Sequence, residues 1–81
     1  MIQPKTHEIA KEMLSEWKRY RNGANEYRAI VFSDGATPTA QERRRWTECS
    51  YAEHAMSFLI QKLFGLYTDE EKEQKLAELL D

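Results

Sequence analysis

Arg43-Arg44-Arg45-Trp46 is the run in this chain best suited to chemistry. Three guanidinium groups and an indole ring at the positive end of a helix could together hold a phosphate or a carboxylate. Thr39 and Glu42, four and one residues earlier, carry the spacing of a capping box, which places the cluster in the first turns of a helix. If the preceding helix runs antiparallel, Arg28 comes to about the same height and Arg21 lies two turns further along. Arg21, Arg28, Arg43, Arg44, Arg45 and Trp46 are therefore the candidate partner- or anion-binding residues. Against that stands a plainer reading. Successive helical residues point about 100° apart, so the three arginines fan out, with Glu42 and Glu48 near enough to neutralise some of them. Arg43 and Arg44 point away from the helix's main apolar seam, whereas Arg45 falls on the seam's own line.

Catalytic chemistry finds little to work with. Cys49 lies on an apolar line, where a thiol acts as a small hydrophobe. His54 is five residues on and faces elsewhere, so the two do not make a nucleophile and base. His7 and His54 form no His-x-x-x-His motif, and with one cysteine no Cys-x-x-Cys occurs. Glu8, Glu12 and Glu16 share a helix face, but each has a lysine or arginine nearby. A di-metal carboxylate bundle would need a matching acidic set on a second helix, and none is present. No glycine-rich phosphate loop occurs either. No metal, no cofactor and no enzymatic activity are expected.

The elements that carry these residues read as three helices. The first spans 6–33, with Thr6 as its N-cap and an apolar line Ala10, Met13, Trp17, Tyr20, Ala24, Tyr27, Val31 in steps of three and four. That line crosses Asn22-Gly23 without a phase slip, so one helix is expected there in preference to two abutting ones. Gly35 and Pro38 mark the connection, with Pro38 suited to the first turn of the next helix. The second helix spans 39–64 and ends at Gly65, with Leu66 folding back on Ile60. The third spans 69–80, opens with a second capping box at Thr68 and Glu71, and docks through Leu76, Leu79 and Leu80.

Helix two is apolar on almost every side. Cys49, Met56 and Leu63, interleaved with Ala52, Leu59 and Leu66 and widened by Trp46 and Ile60, form a seam. Tyr51, Ala55 and Phe58 form a second strip roughly opposite. Arg43, Thr47, Ser50, His54, Ser57 and Gln61 make the one polar line, whose short uncharged groups suit an exposed face, a subunit contact or the wall of a small pocket. A helix apolar nearly all round needs several neighbours. The expected fold is all-α: a long antiparallel helical hairpin plus a short C-terminal helix, forming a dimeric helical bundle as one domain. Tyr51, Ala55, Phe58 and Leu59 are the expected oligomer contacts.

Eighty-one residues with 41% hydrophobic and 32% charged content describe a globular chain rather than a disordered one. No stretch is apolar enough to span a bilayer and no secretory signal pattern opens the chain, so the cytoplasm is the expected compartment, in keeping with a single cysteine. Net charge is −2: residues 1–67 hold ten Lys or Arg against eight acids, and residues 68–81 hold two against six. Neither part has the basic excess of a dedicated nucleic-acid binder. By elimination the sequence favours a small regulatory or inhibitory protein that binds another macromolecule, in first place a protein, of a kind frequent among phages and mobile elements. Nucleic-acid binding through the Arg43 to Arg45 cluster and a nucleotide sponge are the alternatives.

Overall fold

The computed structural model describes residues 4–81, with side chains from Thr6 onward, and among them it contains three helices and no strand. Helix α1 spans Pro4–Val31, α2 spans Ala40–Phe64 and α3 spans Asp69–Leu80. Helix α1 is unbroken through Asn22-Gly23. It already runs at Pro4, so Thr6 lies inside it rather than capping it, and it ends at Val31, two residues before the expected Ser33.

Both expected capping boxes form. The Glu42 backbone N–H donates to Thr39 Oγ1 at 3.1 Å while the Thr39 N–H donates to the Glu42 carboxylate at 2.8 Å. At α3 the Glu71 N–H donates to Thr68 Oγ1 at 3.1 Å and the Thr68 N–H returns to Glu71 at 3.3 Å. Each box satisfies two N–H groups that the first turn of a helix leaves orphaned. Pro38 stands just before the cap rather than in the first turn. Gly65 closes α2 in the left-handed conformation, φ 68°, and donates its N–H to the Gln61 carbonyl at 3.0 Å.

Helices α1 and α2 pack along each other as an antiparallel hairpin, and α3 packs on α1. The Gly65–Thr68 segment doubles back along α2, so α3 starts level with Arg21 and descends toward His7. Arg21 meets Asp69 at 3.3 Å and Glu73 at 3.1 Å, Lys18 meets Glu73 at 3.7 Å, and Leu79 lies near His7 and Lys11. The third helix therefore covers only the lower half of the hairpin. The molecule measures 53 × 18 × 18 Å, and its upper end is two helices alone.

Leu14, Trp17, Ile60 and Leu76 are the buried cluster where the three helices meet, with Met13, Met56, Phe64, Leu66 and Leu79 packed around it. Every member of the expected α1 line is buried or half-buried. On α2 the inner line is Trp46, Cys49, Glu53, Met56, Ile60 and Phe64, which is rotated from the expected seam. Leu59 and Leu63 face outward instead. The cause is Glu53. Trp17 is fully buried, its indole N–H requires an acceptor, and it donates to Glu53 Oε1 at 3.0 Å. A carboxylate thus occupies an inner position that a count of apolar residues passes over.

Two further departures belong to α3. Leu80 is exposed, and Lys72, near the other end of the helix and not expected in the contact, is 1% exposed. The Lys72 ammonium donates to the Tyr67 carbonyl at 3.1 Å and lies 5.6 Å from the Trp17 ring centre, with the Arg21 guanidinium 5.5 Å from that ring. Cation–π attraction and one charge-assisted hydrogen bond compensate its burial.

Candidate interaction surfaces

Above the level where α3 begins, the two hairpin helices leave an open groove of ≈ 520 Å³. Its far end is Phe32 packed edge-on against Trp46, ring centres 4.9 Å apart and planes at 78°. Arg21, Ala24, Asn25 and Arg28 form the α1 wall, Ser50, Glu53 and His54 the α2 wall, and Asp69 the lower stop. The close spacing that aligns these walls comes from Gly23. A Cβ there would sit 2.9 Å from Cys49 Sγ, so the helices approach at a contact between glycine and cysteine.

The six arginine-end candidates do not gather in one place. Arg28, Trp46 and Arg21 line the groove. Arg21, however, is engaged by Asp69 and Glu73 and fastens α3 to α1. Arg44 and Arg45 share a separate shallow depression with Gln41 and Glu48, and Arg43 is exposed outside both. Arg45 is exposed too, not on the buried line as expected, because the α2 inner line is rotated away from it. Among the described residues no ion pair within 4 Å involves Arg28, Arg43, Arg44 or Arg45; Glu42 is turned to its capping box, while Glu48 lies in the depression with Arg44 and Arg45.

The expected oligomer contacts all lie on bare surface. Tyr51, Ala55, Phe58 and Leu59 are exposed on one face of α2, joined by Leu63, with the four large side chains at 45% to 74% exposure. Helix α3 covers none of them, since it packs on α1 instead. The Lys62 ammonium lies 5.4 Å from the Phe58 ring centre.

The polar line of α2 is split. Ser50 and His54 belong to the groove, with His54 Nδ1 3.7 Å from the Glu53 carboxylate, whereas the half-buried Gln61 donates to the Tyr67 carbonyl at 3.5 Å. Cys49 is half-buried against Gly23. Glu16 pairs with Arg19 at 2.6 Å. Among the described residues no three His, Cys, Asp or Glu side chains gather so as to hold a metal ion, and no helix is long and apolar enough to cross a membrane. Asn25, Glu53 and Asp69 are groove residues that sequence reading missed. Asn25 could have been found, since it lies one turn from both Arg21 and Arg28.

No protein-family model matches the chain, and neither a curated protein nor a solved structure matches it.

Proposed function

We propose that this chain is a small non-enzymatic regulatory or inhibitory protein of the cytoplasm, working as a homo-oligomer and binding another protein through the groove at the free end of its hairpin. One observation carries the reading. An unpaired guanidinium, Arg28, stands in the same open groove as the Phe32–Trp46 pair, whose Phe32 ring is 60% exposed. Aromatic rings and arginine are the side chains that most often dominate binding energy at protein interfaces. Side by side in a groove they suit an acidic segment with an apolar anchor, the carboxylate going to Arg28 and the anchor to the ring edges.

The test is affinity capture from the native source with the unmodified chain and with Arg28→Glu. Both are exposed-surface forms of the same fold, so circular dichroism should match. A discrete protein retained by the first and lost by the second supports the reading. Capture of nucleic acid, with affinity falling steeply as salt rises, would replace it with the arginine-driven alternative. A melting temperature raised by nucleotides alone would replace it with the sponge.

A further inference from the structure

From the exposed face of α2 we infer that two copies of this chain pair antiparallel along that helix, about a two-fold axis at Ala55. The inference rests on the homo-oligomer part of the function proposed above and gives it a geometry. Taking Ala55 as zero and 100° per residue, Arg44, Glu48, Tyr51, Phe58, Leu59 and Lys62 all fall within about 60° of it. Each of them is exposed. The monomer's own buried cluster uses none of them.

Charge decides the direction. The two charges nearest the apolar centre are Glu48 above and Lys62 below, each seven residues from Ala55. In a parallel pair in register, Glu48 would meet Glu48 and Lys62 would meet Lys62. In an antiparallel pair centred on Ala55, each Glu48 meets the Lys62 of the other copy, twice by symmetry. The same register brings Tyr51 level with Leu59 of the other copy and sets Phe58 on the same flank as its Tyr51. It also puts a methyl side chain at the crossing point, where small residues let helix axes come closest. Two copies together supply four aromatic rings, each worth ~150–250 Å² when fully covered, toward the roughly 1,000 Å² that a specific contact needs.

Within one chain Glu48 and Lys62 are fourteen residues, or about 21 Å, apart along the helix, and they form no ion pair with each other. A charge exchange between them can therefore be sensed only across copies. The experiment is sedimentation equilibrium of the full chain, of Glu48→Lys, of Lys62→Glu and of the double exchange, with folding checked by circular dichroism. Each single change should weaken the dimer by roughly tenfold or more, since it sets like charges together at two places. The double exchange should recover most of that loss. A chain monomeric at every concentration would overturn both the pairing and the homo-oligomer reading. A dimer indifferent to the single changes, or not rescued by the double one, would overturn the antiparallel register while leaving the homo-oligomer standing. Because these variants alter only exposed positions, a variant that loses its helical signal would contradict the free face itself.

Discussion

A glycine in the middle of a 28-residue helix costs about 1 kcal/mol relative to alanine, and Gly23 occupies such a place. Its compensation is steric: a Cβ would meet Cys49 Sγ at 2.9 Å. In the unmodified chain Gly23→Ala should lower stability by about 1 kcal/mol, because overlap of this kind costs roughly 1–3 kcal/mol and outweighs the propensity gain. With Cys49→Ala beside it, the same change should stabilise by roughly 0.5–1 kcal/mol. Urea denaturation of the four proteins measures both, and an equal effect in the two backgrounds would refute the contact. Lys72 gives a second test at this scale. Its stem and ammonium fill the space over Trp17, but an unbranched apolar chain of like length would keep that packing. Lys72→Met should therefore hold stability within about 1 kcal/mol, as replacements of buried charges by well-packed apolar groups commonly do. Lys72→Ala should cost roughly 2 kcal/mol or more through the cavity left. If Met proves as damaging as Ala, the ammonium's contacts with Tyr67 and Trp17 outweigh the packing.

At the scale of the helix, the energetic centre of α3 is one residue. Leu76 is buried among Leu14, Trp17 and Ile60, whereas Leu80 stands in solvent. Leu76→Ala should cost about 2–5 kcal/mol, and Leu80→Ala less than about 0.5 kcal/mol, measured as shifts in thermal or urea midpoints. Removal of the chain after Tyr67 should be at least as damaging as the first, since it uncovers Trp17 and strands Arg21. What the sequence made legible here follows from how each element is held. The caps are local, so Thr39, Gly65 and Thr68 announced their roles. The α1 line is apolar throughout, so its period alone found it, although Leu14, one residue beside Met13, was passed over. The rotation of α2 was not legible, because it depends on Glu53 accepting a hydrogen bond from a residue 36 positions away. Lys72 in an acidic helix likewise reads as solvated until the Trp17 ring is placed beneath it. The candidate site was legible in part for the same reason. Arg28 and Trp46 line one groove because hairpin geometry fixes their height, whereas Arg21 is diverted by Asp69 and Glu73, whose register against α1 no local pattern reveals.

Across the whole molecule, burial and bareness are cleanly separated. The lower half is a three-helix core and the upper half a two-helix stem, while α2 keeps an open apolar face from Tyr51 to Leu63 beside the core, with Glu48 and Arg44 above it. Aspartate at Phe58 distinguishes a face that holds the monomer together from one that holds copies together. Phe58 lies outside the cluster of Leu14, Trp17, Ile60 and Leu76, is 57% exposed, and has the Lys62 ammonium of its own helix 5.4 Å from its ring centre. Phe58→Asp should therefore leave the helical signal unchanged and leave a monomer that melts cooperatively. Pairing stabilises a fold by mass action, by RT ln(1 + [free chain]/Kd), so the unmodified chain should melt higher as its concentration rises. The variant's melting temperature should not move with concentration, and at high dilution the two curves should converge. If the variant unfolds outright, α2's outer face belongs to the monomer's own stability, and the division between core and contact surface is wrong. If its melting temperature still climbs with concentration, the copies meet elsewhere, and the arginines at the free end become the surface to search.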